Sequence, residues 1–258
     1  MRATGNQAEK IWYLRQTGLF DRLSEPDLQR LASLSHMRQY PRGRPILLNT
    51  EPDSDLICLV KAGRVKISAI SPDGKEQILA LLERGDVFGE LAAAGTASST
   101  RVEAFDHTVV CTLQRTLFEE ILRRTPEVAL RVIAVLARRL RTAEQEIEDL
   151  ALRDVPGRLA ALLLRMAEEY GEPHGSAIRL SLRLTHQDIA EMVGSTRETI
   201  TTILSRFRDG GVVTVDHRTL IIVQAARLRE IARTRHRSPL TREEPRVVAS
   251  NQYRRRHQ

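Results

Sequence analysis

Short apolar runs broken by turn sequences dominate residues 38–115 of the chain. The runs are PILL, DLICLV, VKISAI, QILALL and TVVCTL, and the turn sequences are PRGRP, KAGR, SPDGK and ERGD. Several short strands at spacings near ten residues are typical of a β-sandwich or β-barrel and not of a parallel α/β sheet. Before these strands, SEPDLQRLASL predicts a short helix with Ser24 as its N-cap and Pro26 in its first turn.

A second pattern begins after Pro126, where apolar residues recur at alternating steps of four and three. They are Ala129, Ile133, Leu136, Leu140, Ala143, Ile147 and Leu150. This spacing over three heptads predicts one long helix with an a/d seam. Val132 and Val135 supply a separate apolar stripe for the helix's own domain, so we interpret the seam as a parallel two-helix dimer contact. The alternative is an amphipathic helix that packs only on its own domain.

The heptad pattern stops at Leu150, and RDVPGR marks a domain boundary at 151–154. Asp154 is placed to cap a further helix, which runs through LAALLLRMAEEY and ends at Gly171. We expect EPHGSA to be a polar loop. After Gln224, ARLREIARTRHR could prolong a helix, and SPLTREEPRVVASNQYRRRHQ has the composition of a disordered segment.

The segment LTHQDIAEMVGSTRETITTILSRFRDGGVVTVDHRTLIIVQ carries the most informative pattern. Thr185 is a good N-cap for a helix over HQDIAEMV, and Gly194 is free to take the positive φ of a tight turn. A second helix begins at Ser195 or Thr196 and runs to about Arg208, and VVTV-DHR-TLIIV predicts a hairpin, the wing. The polar residues of the second helix share its outer face; they are Arg197, Glu198, Thr201, Thr202 and Ser205. This is the pattern of a winged helix-turn-helix, and a purely structural subdomain would need all of these features to coincide.

The net charge of the chain is weaker evidence for DNA binding than its total suggests. The net charge is +7 and the pI is about 10.0. Residues 227–258 hold ten Lys or Arg and three Asp or Glu, so the whole basic excess lies there. Basic character alone therefore does not identify the folded part as a DNA-binding protein.

Other features exclude several classes of protein. Cys58 and Cys111 lie in apolar runs without a CxxC pair, which predicts two buried thiols in a reducing cytoplasm. The N-terminus has no signal-peptide pattern, and no apolar stretch is long enough to span a membrane. No metal motif, phosphate loop or nucleophile-base set is present, so we expect neither an enzyme nor a metal site.

From the first predicted helix to the predicted wing, over roughly residues 19–224, the chain resembles the family of the cyclic-AMP receptor protein and the fumarate-nitrate reduction regulator (CRP/FNR). GLFDRLSEPDLQRLASL resembles the family's opening helix, LARRLRTAEQEIEDLALRDVPGRLAALLL its dimer helix and hinge, and GSTRETI its recognition helix. The resemblance implies an α+β fold, in which a long dimerisation helix joins an N-terminal double-stranded β-helix (jelly roll) to a C-terminal winged helix-turn-helix that reads a palindrome. The implied division is an N-terminal arm (1–18), an effector-type β-roll (19–125), the dimerisation helix and hinge (126–153), the DNA-binding domain (154–226) and a basic, disordered tail (227–258).

The predicted DNA-binding residues have distinct roles. Arg197 can donate twice to a guanine and Glu198 can accept from a cytosine, each contact discriminating by about 1–3 kcal/mol. By resemblance, residues at the start of the first helix and in the wing turn contact phosphates. Thr202 stands where the family's best-known member has a second arginine, so we expect a different half-site. The full set is Thr185, His186, Gln187, Thr196, Arg197, Glu198, Thr201, Thr202, Ser205 and Arg218.

The effector site is less clearly specified. DVFGELAAAGTASSTRVEA resembles the family's phosphate-binding cassette, but the Arg-Ser pair that binds the cyclic phosphate falls on Ser98 and Ser99. Arg101 lies three positions along and should point elsewhere, so the bidentate partner of the phosphate is missing, which disfavours cyclic AMP. The candidate pocket residues are Gly89, Glu90, Leu91, Ser98, Ser99, Arg101, Ala143 and Glu144. The oxygen sensors' cysteine cluster is absent, and His36, His107 and the two cysteines fit core or surface positions better than haem ligation.

The sequence thus predicts a cytoplasmic, homodimeric regulator that binds duplex DNA and works with RNA polymerase, without a cofactor or a membrane. Two modes of regulation remain open: DNA binding without any ligand, which we favour, and sensing of a metabolite or another nucleotide in a remodelled pocket. A rival from another class is a nucleotide-binding regulatory subunit of a protein partner. Such a subunit would need the β-roll but would not need GSTRETITTIL.

Overall fold

The N-terminal half of the computed structural model is a β-roll of two four-stranded antiparallel sheets, with strand orders β1-β8-β3-β6 and β2-β7-β4-β5. The structure describes residues 7–47, 56–89, 100–217 and 219–233. The strands are β1 (His36–Tyr40), β2 (Pro45–Leu47), β3 (Leu56–Ala62), β4 (Val65–Ile70), β5 (Glu76–Leu82), β6 (Val87–Gly89), β7 (Thr100–Ala104) and β8 (Thr108–Gln114). The predicted double-stranded β-helix and the α+β class are confirmed.

Three helices pack against one face of the β1-β8-β3-β6 sheet: α1 (Gln7–Gln16), α2 (Glu25–Leu34) and α3 (Arg115–Arg124). The predicted separation of residues 1–18 as an arm is wrong for α1. Tyr13 and Leu14 are fully buried in one cluster with Phe20, Leu31 and Phe118. These apolar side chains can leave water only by packing on the roll, so α1 belongs to the β-roll domain.

The long helix α4 spans Pro126–Leu152, with proline in its first turn, where no backbone hydrogen bond is lost. Val128 is buried and Val132 packs on the core of the β-roll, as the second apolar stripe predicted. The a/d seam of α4 faces away from the rest of the described chain. Its large members are exposed: Ile133, Leu136, Leu140, Ile147 and Leu150, and they are joined by Leu130.

The C-terminal half begins with α5 (Val155–Tyr170), capped by the Asp154 side chain, which accepts from the Gly157 amide at 2.8 Å. Then come β9 (Gly171–His174), β10 (Ala177–Leu180), α6 (His186–Val193), α7 (Arg197–Asp209), β11 (Val213–Asp216), β12 (Thr219–Ile222) and α8 (Ala225–Ala232). The four strands form one sheet in the order β11-β12-β10-β9. The core of this half is made by α5, α6, α7 and α8 against that sheet.

Two boundaries differ from the sequence prediction. The expected polar loop EPHGSA is the β9–β10 hairpin, because Gly175 takes a left-handed turn (φ 62°) and Leu180 anchors β10 in the core. The predicted start of the tail, at residue 227, is too early. Leu228 and Ala232 of α8 are buried in the core with α5, so the fold extends at least to Arg233.

Candidate nucleic-acid interface

The first helix of the motif, α6, starts at a complete capping box. Thr185 accepts from the Asp188 amide at 3.0 Å, and Asp188 accepts from the Thr185 amide at 2.8 Å. Reciprocal capping satisfies two backbone donors that a helix start would otherwise leave unpaired. Gly194 ends the helix in the left-handed conformation (φ 66°) that a residue with a side chain rarely adopts. The local sequence therefore fixes both ends of α6 and the tight turn into α7.

The second helix, α7, separates an apolar inner face from a polar outer face. Thr196 caps it by accepting from the Thr199 amide at 3.2 Å. The buried face carries Ile200, Ile203, Leu204 and Phe207. The outer face is exposed at Arg197, Glu198, Thr201 and Thr202, while Ser205 is half-buried. Within the described residues, neither Arg197 nor Glu198 forms an ion pair. The guanidinium of Arg197 and the carboxylate of Glu198 can therefore bind another molecule.

Hydroxyl groups on the outer face are held by the helix itself. Thr201 donates to the Arg197 carbonyl at 2.8 Å and Thr202 donates to the Glu198 carbonyl at 3.0 Å. Nδ1 of His186 lies 2.8 Å from the Thr201 hydroxyl oxygen. Because that hydroxyl gives its proton to the carbonyl, the imidazole must donate through Nδ1. This contact ties the start of α6 to the middle of α7.

The side chains at the start of α6 are also exposed, but one has a partner that the sequence did not reveal. Gln187 donates through its amide to Glu191 at 2.8 Å, one turn along the helix. Glu191 is itself buried. The i, i+4 spacing is visible in the sequence, but the burial of Glu191 depends on a surface distant in the chain.

The wing is the hairpin of β11 and β12, and Arg179 of β10 pairs with Asp216 at 3.2 Å beside its turn. His217 in the turn has a positive φ of 47°. Arg218, the predicted phosphate contact, lies outside the described residues. The hairpin belongs to the four-stranded sheet of the C-terminal half and shares its core with α7.

Only some of the predicted effector residues lie in the described part of the chain; Glu90, Leu91, Ser98 and Ser99 do not. Gly89 ends β6 with a φ of 128°, and a Cβ there would lie 2.3 Å from the Leu56 carbonyl oxygen, so the position requires glycine. Arg101 on β7 is half-exposed, and its guanidinium lies 3.6 Å from the carboxylate of Glu76 on β5. Ala143 and Glu144 are exposed on α4.

A cleft of about 670 Å³ lies between β5, α4 and α5. Of the predicted pocket residues that the structure describes, only Ala143 lines it. Its walls carry arginines and carboxylates, including Arg139, Arg165, Glu146 and Glu169. Burial raises the pKa of Glu146 to about 7, with Asp149 adding to the shift and Arg165 opposing it. The cleft can therefore hold a polar molecule, in a place that the sequence did not identify.

The cysteines occupy the core, as predicted. Cys58 and Cys111 are free and buried, and burial raises the pKa of the Cys58 thiol to about 12, which leaves it unreactive. Within the described ranges, no three His, Cys, Asp or Glu side chains are grouped to hold a metal ion. In the same ranges, every helix is too short or too polar to cross a bilayer.

Comparisons with known proteins agree with this geometry. Residues 157–231 match the family described as Crp-like helix-turn-helix domain, and residues 37–125 match the cyclic nucleotide-binding domain. The chain is 31% identical over 224 residues to the "CRP-like cAMP-activated global transcriptional regulator" of Mycobacterium tuberculosis, which covers 85% of this chain and 98% of that relative. It is 32% identical over 189 residues to the "Global nitrogen regulator" of Synechocystis, covering 71% and 82%.

Solved structures give the same result. A CooA mutant from Carboxydothermus hydrogenoformans aligns with a TM-score of 0.71 and 25% identity, covering 90% of this chain and 98% of that chain. FixK2 from Bradyrhizobium japonicum aligns with a TM-score of 0.65 and 26% identity, covering 76% and 96%.

Proposed function

Because this chain belongs to the CRP/FNR family of transcriptional regulators, we propose that it binds a palindromic DNA site as a homodimer and regulates transcription there with RNA polymerase. The exposed polar face of α7, which begins with the unpaired ionic heads of Arg197 and Glu198, is the observation that carries this proposal. An α-helix fits the major groove of B-DNA, where base edges present distinct donors and acceptors.

Each side chain on this face has a role that its chemistry supports. Arg197 offers two parallel donors to O6 and N7 of a guanine, and Glu198 accepts from N4 of a cytosine. His186, Gln187 and Thr185 lie at the N-terminus of α6, where the helix dipole favours a phosphate. Arg218 supplies the same kind of contact from the wing.

The dimer is supported by the exposed seam of α4. Leu140 is 61% exposed and Ile147 is 66% exposed, although each apolar side chain gains about 1.5–3 kcal/mol on burial. A two-fold axis along this seam would present two copies of α7 to half-sites one helical turn, about 34 Å, apart.

We further propose that DNA binding needs no cyclic AMP. Serine stands at both positions where cyclic-AMP binders carry the Arg-Ser pair, and the guanidinium of the nearby Arg101 is directed toward Glu76, at 3.6 Å. A cyclic phosphate would thus lack its bidentate partner.

Fluorescence anisotropy on a two-fold-symmetric duplex, recovered by selection from a random pool, tests these statements. We expect tight binding that added cyclic AMP leaves unchanged. Arg197→Ala should lose discrimination at one G·C pair of each half-site, by about 1–3 kcal/mol, whereas Arg218→Ala should weaken all duplexes alike. Equal weakening on all single-base variants would contradict the role of Arg197, and weak binding rescued by the nucleotide would contradict effector independence.

The cleft beside α4 favours a second candidate, a regulator gated by a metabolite or another nucleotide. A ligand there would contact the β-roll, the long helix and α5 together, and so could shift the two halves relative to each other. DNA binding that appears only with a cell extract's small-molecule fraction would favour this candidate. Protein that shifts no genomic DNA would favour a regulatory subunit for a protein partner.

A further inference from the structure

A buried lysine lies where the two halves of the chain meet. Lys66 on β4 is only 7% exposed, and its ammonium nitrogen is 2.9 Å from Glu76 of β5 and 2.9 Å from Glu103 of β7. The third carboxylate comes from the other half: Glu191 of α6, at 3.3 Å. Burial opposes the charge of Lys66, but hydrogen bonds to Glu103 and Glu76 outweigh it and raise its pKa above the usual value. The lysine is therefore a permanent cation inside a ring of acids.

A neighbouring ion pair also joins α6 to the β-roll. Arg42 donates to Asp188 of the α6 capping box at 3.0 Å and lies over the ring of Phe105, with 5.2 Å from the guanidinium carbon to the ring centroid. Phe105, which follows β7, is buried in the core of the C-terminal half. Both acidic residues of α6 thus pair with cations of the β-roll.

Glu191 also links the cluster of carboxylates around Lys66 to a predicted DNA contact. One of its carboxylate oxygens faces Lys66 and the other accepts from the amide of Gln187. The amide group has two N–H donors, so the second remains free to meet a phosphate. A single buried carboxylate therefore contacts both the Lys66 ammonium of the β-roll and the Gln187 amide of α6.

We propose that Lys66 and Glu191 are positioning residues, which fix the orientation of the DNA-binding half on the β-roll without a ligand. The docked arrangement leaves the described DNA-contact residues at the outer surface of α6 and α7, so docking and DNA contact are compatible. A palindrome demands a fixed distance between two copies of α7. Without Lys66, Glu76, Glu103 and Glu191 would lose their shared cation and repel one another, with Arg101 remaining near Glu76, so α6 would be held more weakly on the β-roll.

The inference rests on the proposed DNA binding, but its first test needs no DNA. In full-length protein, we expect Lys66→Met to raise amide hydrogen exchange in the peptide over 186–193 at least about tenfold, since local opening controls exchange. Lys75→Met removes the same charge from an exposed turn and should leave exchange unchanged. Glu191→Gln, nearly isosteric, should raise it in the same peptide and serves as the deciding variant if Lys66→Met fails to fold.

The second test asks whether the two residues position α7. The readout is the preference for the selected palindrome over the same duplex with its half-site spacing changed by one base pair. We expect the wild type and Lys75→Met to share a strong preference, and Lys66→Met and Glu191→Gln to lose at least about tenfold of it, because a freely oriented domain tolerates both spacings. A merely structural loss would weaken both duplexes equally. Unchanged exchange, or an unchanged spacing preference in a protein that binds DNA, overturns the proposal; absence of DNA binding by the wild type refutes the proposed function instead.

Discussion

At the scale of single residues, Glu146 has the most perturbed carboxyl in the described part of the cleft. It lies on α4, half-buried, and burial raises its pKa from the usual value of about 4.3 to about 7. A folded state with the higher pKa holds the proton more tightly than the unfolded chain. Protonated Glu146 therefore stabilises the folded state. This stabilisation is complete below the pKa of the group in the unfolded chain and is lost as the pH rises through its pKa in the folded state.

We therefore predict that the protein loses about 1 kcal/mol of folding free energy between pH 5 and pH 8 through this one group, allowing for solvent screening of a half-buried carboxyl. Glu146→Gln should remove that part of the pH dependence. Thermal unfolding across this range measures it, with Glu144→Gln, an exposed neighbour on α4, as the control. Identical pH profiles for Glu146→Gln and the wild type would refute the assignment.

Residues whose role is local could be predicted from the sequence. Ser24, Asp154 and Thr185 each cap the helix that follows them, and cap signals lie within three residues of the group they satisfy. Lys66 and Glu191 could not be identified in the same way. Their partners come from strands and helices up to 125 residues apart, so nothing in the neighbouring sequence marks either as buried.

At the scale of elements, α4 was predicted from its periodicity, whereas α3 was missed. Leu117, Phe118 and Ile121 give α3 a buried face at helical spacing, but the element is only Arg115–Arg124 and follows a strand directly. A short amphipathic run beside β-strands is ambiguous by periodicity alone. The short strands β6 and β9 were missed because they owe their pairing to β3 and β10.

The seam of α4 makes a testable prediction about assembly. Leu140→Glu should convert the proposed dimer to monomers of 29.2 kDa, weakening self-association at least about 100-fold, because the two leucines that the proposed seam would bury are lost. Ala134→Glu places the same charge on an exposed position outside the seam and should leave the dimer intact. Sedimentation velocity measures both. A monomeric wild type, or a Leu140→Glu variant that stays dimeric, would contradict the seam.

At the scale of the whole molecule, the architecture of each half was within reach of the sequence, but their docking was not. The β-roll and the winged helix-turn-helix each have a local pattern and a family resemblance. The contact between them depends on isolated residues such as Phe105, and on Arg64, whose guanidinium carbon lies 4.9 Å from the centroid of the Tyr170 ring. A single aromatic or arginine without periodicity carries no sequence signal for a partner in another domain.

The basic C-terminal segment, residues 234–258, is expected to attract DNA through its charge. Residues 234–258 contain seven Arg and two Glu, a net charge of +5, whereas the preceding residues 1–233 carry +2. Each phosphate that such a segment neutralises adds about 0.9 to the steepness of log affinity against log salt. We expect a chain ending at Arg233 to have a slope shallower by at least about 2 per subunit, with its preference for the palindrome over random duplex unchanged.

The truncation point decides whether this experiment is interpretable. A chain cut after Gln224 would lose α8, whose Leu228 is fully buried, and would lose affinity through unfolding. A cut after Arg233 removes charge and keeps every residue of the described core. Replacing Arg254, Arg255 and Arg256 with glutamine in the full chain controls for length and should recover part of the change in slope. Anisotropy titrations from low to physiological salt measure the slope. If it is the same with and without residues 234–258, these arginines do not touch the phosphates, and affinity depends on residues 1–233 alone.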